Sequence, residues 1–377
     1  MKTIPEVETS VTPSVGGKTR NAAIDHIRIV LTMLVILHHV AIACGGPEGW
    51  VLRGPTNVSS TVLLMFISVN QAFFMGFFFL LAGYYTPTSY ERKGAMRFLG
   101  DRFLRLGVPL IIYFLVLSPF NIALARTGAG SALWQSWWEA TRSGDFSPGP
   151  LWFAEALLLF AGGYVIWCKL RPAPLEVMEL PSFGALALSA LFLACVSFLV
   201  RLWTPVGTQV AWLQIGYFPC YIFLFAVGCA AGRSRLLERI TLGEARPWMV
   251  VSALAILTLP ALIFLRLGGG PILGGWSIKA FCYALWDPVV AWGVILGMLW
   301  AARNHWSQAA PISSWFARNA YGAYIVHMSV LAAVSLVASK WRLNPLVIFA
   351  FVGAFVGVSS FVATSLLAAI PGARRIL

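Results

Sequence analysis

Apolar stretches of about 20 residues recur from one end of this chain to the other, and each is long enough to cross a bilayer as a helix. Ten such segments lie near residues 24–44, 59–85, 107–125, 150–168, 182–203, 211–232, 248–266, 277–301, 315–338 and 345–370. Inside lipid every backbone N–H and C=O needs an internal partner, so segments of this length read as helices. Composition agrees, at 59% hydrophobic and 11% charged residues. The expected class is all-α, a polytopic integral membrane bundle of about ten transmembrane helices. The loops are too short for a second folded domain. Residues 1–22 are polar and read as a disordered cytoplasmic tail, and residues 23–377 as one transmembrane domain. No signal-peptide pattern precedes the first helix, which is expected to serve as its own uncleaved insertion signal.

The net charge of +13 invites a nucleic-acid reading, but its distribution argues against one. With the N-terminus inside, about eighteen Lys and Arg fall in cytoplasmic segments and eight on the opposite face, among them Arg53, Arg201 and Arg266. That asymmetry is the positive-inside rule. An even helix count with both termini cytoplasmic fits it, in a bacterial inner membrane, and the expected surroundings are membrane lipids.

The first apolar run carries Asp25, Arg28, Thr32, His38 and His39. An ionisable group at mid-membrane costs roughly 2.5–3.5 kcal/mol on insertion scales and usually faces protein or a water-filled cavity. At about 100° per residue, Arg28, Thr32 and His39 fall within about 40° of one another, Asp25 about 60° from Arg28, and His38 about 80° the other way. His39 is the deepest member of this stripe, about 16 Å beyond Arg28. A neutral imidazole is a natural general base near pH 7. The plainer alternative is a core histidine bonded to a neighbouring helix carbonyl. Asp25 and Arg28, three apart, can pair on the helix surface.

Arg102 and Arg105 open the third apolar run from nearly one face and can present two guanidinium forks to a phosphorylated ligand such as coenzyme A. Contact with anionic lipid is the competing explanation. Glu155 comes about one turn into the fourth run, after Asp145, Ser147 and Pro148. It is read as orienting His39, as binding an acceptor hydroxyl, or as a structural partner of an arginine. Asn70 and Gln71 line a cavity or bond across helices. Asp287, before Pro288, marks a kink and a buried carboxylate, while Tyr321, Tyr324 and His327 recur at three-residue spacing. Trp134, Trp137 and Trp138, between Thr127 and Pro148, form either an aromatic ledge for a sugar or an interfacial anchor.

Six cysteines form no CxxC or Cys/His pattern, and the histidines have no HExxH spacing, so no metal site is expected. No Walker loop, GxGxxG or GxSxG elbow is present, nor an internal repeat of the sort many transporters carry.

Together these stretches resemble the acyltransferase 3 family of membrane O-acyltransferases, which includes glucan- and polysaccharide-modifying enzymes. The resemblance lies in Ile24-Asp25-His26-Ile27-Arg28 with the run to His39, in Phe73 through Tyr85, and in Arg102 through Leu110. It continues in Leu151-Trp152-Phe153 with Glu155, in Phe225 through Gly228, and in Asn319 through His327. It spans about residue 24 to the end, and order and spacing carry it rather than any single motif. Among relatives the chain looks closest to the glucan-succinylating type. His26 departs from a position where glycine is common, and no esterase-like domain is appended, so an acceptor would meet the membrane domain itself.

The resemblance implies an acyl-CoA-dependent O-acyltransferase, with acyl-CoA as co-substrate and no tightly bound cofactor. Acetyl or succinyl would pass to a hydroxyl of a glycan or other extracytoplasmic acceptor. His39 and Glu155 would be catalytic. Arg102 and Arg105 would hold the donor phosphates and Asp25 and Arg28 shape its channel, with Trp152, Asn70 and His327 as further substrate contacts. Two alternatives stay open: a transporter of a small amphipathic solute that uses the same stripe as a pathway, and a non-catalytic scaffold.

Overall fold

A computed structural model describes residues 21–45, 58–128, 130–171, 179–264 and 270–375. Most of the N-terminal tail, with Arg53 and Arg266, lies outside the described residues. Ten helices are long and apolar enough to span a membrane. We label them with one short helix as α1 (Ala22–Gly45), α2 (Val58–Lys93), α3 (Ala95–Thr127), α4 (Leu133–Ser143), α5 (Trp152–Leu170), α6 (Phe183–Trp203), α7 (Phe218–Ser234), α8 (Leu242–Phe264), α9 (Ile278–His305), α10 (Pro311–Ala338) and α11 (Pro345–Leu367). All but α4 cross. One end of the bundle carries the N-terminus of α1 and the α2–α3 turn and is called the basal end. The other carries α4 and is called the distal end.

Two boundaries differ from those the hydropathy suggests. Helix α2 runs on to Lys93, past the end of its apolar stretch near residue 85, and α3 starts at Ala95 rather than near 107. A helix keeps its hydrogen bonds past the bilayer edge, whereas an apolar window ends there. Only Gly94, at φ 72°, separates the two helices. The polar extensions are held by ion pairs from Lys93 to Asp101 and from Glu91 to Arg233 of α7. Between Thr127 and Pro148 the chain forms α4, on which Trp134 stacks on Trp137 at 4.9 Å while Trp134 and Trp138 stay exposed.

Helix α3 is wound unevenly. Phe103–Gly107 and Tyr113–Leu117 are wide π turns, the first closed by the Val108 N–H donating to the Phe103 carbonyl. Pro109 has no N–H to offer the Arg105 carbonyl four residues back, and its ring crowds that carbonyl. The Tyr321 hydroxyl of α10 donates to it instead, at 2.7 Å. Such turns often mark functional positions in helices.

Helix α1 is central, packed on α2, α9, α10 and α11. Its residues Ile36, Val40, Ala41 and Ala43 pack with Ala320, Ala323, Ile348, Val352 and Val356 of α10 and α11. Large apolar side chains on the outside of α6, α8 and α11, including Phe192, Leu257 and Phe351, are exposed, as lipid contact requires. The closest helix pair is α2 with α7. A Cβ on Gly228 would sit 2.2 Å from the Leu80 carbonyl oxygen, one on Gly83 2.2 Å from that of Phe225, and one on Gly232 2.3 Å from that of Tyr84. Small residues four apart are how membrane helices bring their backbones together.

This crossing generates a prediction. Gly228→Leu should force α2 and α7 apart and destabilise the bundle by about 1–3 kcal/mol or more. The measurement is the midpoint of thermal unfolding in detergent. An unchanged midpoint would mean that the close approach is dispensable.

Candidate active site

His39 lies on a cavity of about 120 Å³. Val35, His38, His39 and Ile42 of α1 line it, facing Gln71, Phe74 and Met75 of α2. Pro150 and Trp152 at the head of α5, Gln214, Tyr217 and Tyr221 around the head of α7, and Tyr324 of α10 complete it. Since α5 and α7 start at the distal end, the cavity belongs to the distal half of the bundle.

The hydrogen bonds around His39 fix its tautomer. The Nδ1 of His39 lies 2.9 Å from the Val35 carbonyl oxygen and 3.3 Å from Nε2 of His327. The Nδ1 of His327 lies 2.7 Å from the Tyr324 carbonyl oxygen. A carbonyl can only accept, so Nδ1 of His327 carries a proton and its Nε2, in the neutral ring, is bare. His39 Nδ1 then faces two acceptors and must be the donor. Its own Nε2 is left with a free lone pair. That is the arrangement of a general base, with a second imidazole and a carbonyl placed to stabilise the cation formed on protonation.

Sequence reasoning makes His327 a substrate contact. In the structure it is fully buried behind His39, both ring nitrogens are engaged, and it stands outside the cavity lining. Trp152 does line the cavity, its indole stacked on Tyr221 at 5.8 Å. Gln71 joins it there and donates to the Tyr221 hydroxyl at 3.0 Å. Asn70 is buried beside Gln71 but outside the lining.

Four other residues stand apart from His39. Glu155, one turn past Trp152 toward the basal end, is half-buried. It lines no part of the cavity and makes no hydrogen bond or ion pair with the described residues, so it does not orient His39 here. Arg28 pairs with Asp25 at 3.7 Å and keeps its side chain 44% exposed at the basal end. Arg102 turns inward, with Nη2 3.4 Å from the Thr86 hydroxyl and its guanidinium 5.2 Å from the Phe98 ring centre. Arg105 is exposed. The first π turn of α3 begins just after Arg102 and contains Arg105, so the two do not share a face as an ideal helix would have it. None of the three arginines lines the cavity. The basal arginines and the cavity are nonetheless only two side chains apart. Tyr321, on the Arg105 carbonyl, stacks on Tyr324 at 6.4 Å, and Tyr324 lines the cavity and donates to the Pro150 carbonyl.

His38 lines the cavity too, contrary to the 80° argument. That argument assumes one inward face, whereas α1 is surrounded and protein meets it on every side. Also unanticipated is the wall built by Gln214 and Tyr217. Before it comes a tight turn in which Val210 and Leu213 exchange backbone hydrogen bonds of 2.9 and 3.0 Å, with Ala211 and Trp212 at φ 48° and 62°. Left-handed geometry at non-glycine residues costs roughly 1–2 kcal/mol each. Arg201 secures the segment that follows: its Nε donates to the Gly216 carbonyl at 3.0 Å and its Nη2 to Asp287 at 2.6 Å, between the rings of Tyr217 and Tyr283. Arg201 is 1% exposed, so it is a core residue and not one of the outward loop cations. The signal was present in the sequence, as two lone opposite charges in separate apolar runs. At the distal surface Asp145 pairs with Arg126 at 2.8 Å, and the neighbouring Ser143 and that guanidinium hold its carboxyl below the usual carboxylate range.

A ten-span α-helical membrane bundle with an imidazole that keeps a free lone pair on the wall of a cavity defines the class of protein. The chain belongs to the acyltransferase 3 family, whose model, described as an acyltransferase domain, matches residues 21–365. No curated protein and no solved structure matches the chain.

The buried ion pair generates a second prediction. Arg201→Met or Asp287→Leu alone leaves an unpaired buried charge and should cost about 3–5 kcal/mol of stability, whereas the double variant should recover most of it. Denaturant unfolding in detergent measures both. Additive losses in the double variant would show that the two groups are not coupled.

Proposed function

We propose that this protein transfers a short acyl group, acetyl or succinyl, from acyl-CoA to a hydroxyl of a glycan or similar acceptor across the bacterial inner membrane. The observation that carries this reading is the bare Nε2 of His39 at a buried cavity in a member of an acyltransferase family. The bias of basic residues makes the basal end cytoplasmic, with both termini there. Arg102 and Arg105 then meet the donor's phosphates, with Arg28 and Asp25 beside its path. The acyl end passes Tyr321 and Tyr324 to reach His39. Its acceptor comes from the distal end, where Gln71, Gln214, Tyr217 and Tyr221 offer hydrogen bonds suited to a sugar's hydroxyls.

In the reaction the acceptor hydroxyl gives its proton to His39 Nε2 as its oxygen attacks the thioester carbonyl. The tetrahedral intermediate expels the thiolate, which takes the proton back from His39. The products are an ester and free CoA thiol. His327 and the Val35 carbonyl hold the Nδ1 proton throughout, so only one nitrogen of His39 exchanges protons.

Purified protein should release free thiol from labelled acetyl-CoA or succinyl-CoA when glucan oligosaccharides are supplied. His39→Ala should lower that rate by about 10²–10⁴-fold while leaving the protein inserted and folded. A transporter would leave the thioester whole. Full activity in the His39 variant would remove this residue from the chemistry.

A further inference from the structure

Of the two cavity-lining imidazoles, His38 is the one without a hydrogen-bond partner among the described residues. It is 6% exposed, and its Nδ1 is sealed in protein without a hydrogen bond. Among the described residues no hydrogen bond engages either of its ring nitrogens; Nε2, unlike Nδ1, is not sealed, and the residue lines the cavity. Its neighbours are the rings of Phe74 at 4.8 Å and of His39 at 5.7 Å, the latter edge-on. An unsatisfied buried polar group costs stability, and a phenyl or leucyl side chain would suit this spot better. Next to it, both nitrogens of His327 and Nδ1 of His39 are bonded. A partnerless imidazole in such company fits a partner that arrives with the substrate.

We propose that His38 is a second catalytic residue, donating a hydrogen bond from Nε2 to the carbonyl oxygen of the acyl thioester. The inference rests on the proposed acyl transfer and adds a role to that same site. No described residue fixes the His38 tautomer, so the ligand does: a carbonyl oxygen selects the form protonated at Nε2. When the acceptor oxygen bonds to the carbonyl carbon and its proton moves to His39, the carbonyl oxygen becomes an oxyanion. The His38 N–H strengthens its bond to that oxyanion and stays on the ring. Expulsion of the thiolate restores the carbonyl, and His39 returns its proton to the sulfur. A neutral imidazole polarising a carbonyl in this way has precedent in enzymes whose surroundings keep the ring uncharged. Adjacent histidines place both groups on one rigid helix, so the base and the donor keep a fixed separation.

The test is a kinetic and stability comparison of His38→Phe and His38→Gln in purified protein, read as thiol release from acetyl-CoA and succinyl-CoA with glucan oligosaccharides as acceptor. His38→Phe should lower kcat by about 10²–10³-fold, the effect of removing one oxyanion donor, with KM for the donor little changed. Its thermal unfolding midpoint should hold or rise, because an apolar ring replaces an unsatisfied one. His38→Gln, which keeps an N–H donor, should recover part of the rate. A purely structural role predicts the reverse, a lower midpoint and a kcat that follows the amount of folded protein. If His38→Phe does not accumulate, His38→Leu replaces it in the same comparison with Gln, and equal rates in those two overturn the inference. Wild-type rates in His38→Phe overturn it and leave the acyl-transfer reading standing. A wild-type protein that releases no thiol from either donor overturns both.

Discussion

The Nδ1 proton of His39 is the point on which the site turns. Two acceptors, the Val35 carbonyl one turn back and Nε2 of His327 on α10, compete for it, so it cannot leave and the tautomer cannot invert. The distal nitrogen is therefore always the basic one. The Val35 contact is local to α1 and would form in any helix carrying a histidine there. The His327 contact exists only when α10 is docked, and the Tyr324 carbonyl that sets the His327 tautomer lies on α10 as well. Assembly of the bundle thereby completes the hydrogen bonding of this imidazole.

Much of this was legible in the chain, because the bilayer simplifies the code. Ten apolar runs give ten spans, since length and hydropathy alone decide what crosses. The Asp25–Arg28 pair follows from three-residue spacing, and the place of His39 on a cavity wall from its depth in an apolar run. What did not follow were features that need a neighbour. The angular argument for a single polar stripe holds for a helix with one side in lipid, and α1 has none, so His38 reaches the cavity as well as His39. Arg102 and Arg105 were placed on one face by ideal helix geometry, which the π turn at Phe103–Gly107 breaks. The cause is local, a proline whose missing N–H frees the Arg105 carbonyl, but its consequence appears only where Tyr321 meets that carbonyl.

Arg201 and Asp287 show how single charges in apolar runs are best read as pairs. Taken alone, an arginine two residues before the end of α6 looks like a loop cation that marks the membrane edge. Taken with a carboxylate on another helix, it is half of a buried bridge that a lone charge could not survive. The bridge also grips the Gly216 carbonyl, and through it the turn that carries Tyr217 to the cavity. Replacing a buried pair with apolar residues is often neutral or favourable, so stability alone does not call for one. Here it spans α6, α9 and the segment before α7, and so ties the position of Tyr217 to the packing of three separate elements.

The division of the molecule into a basal arginine end and a distal cavity bears on how, in the proposed reaction, one base would serve reactants from two compartments. A channel open from end to end would let solvent and ions through, and water at the thioester would compete with the acceptor. The described residues place stacked aromatic rings at the junction instead, Tyr321 toward the arginines and Tyr324 on the cavity wall. Both hydroxyls are occupied by backbone carbonyls, those of Arg105 on α3 and Pro150 before α5. Those carbonyls belong to the π turn on one side and to the turn that positions Trp152 on the other. On the proposed reaction a donor reaching from the basal end would have to pass this pair, and displacing either ring would disturb the segments that carry Arg105 and Trp152. On the proposed reaction, admission of an acyl chain would be coupled through these two hydrogen bonds to the shape of both halves of the site, and a thioester would stay away from the cavity until the donor itself opened the way.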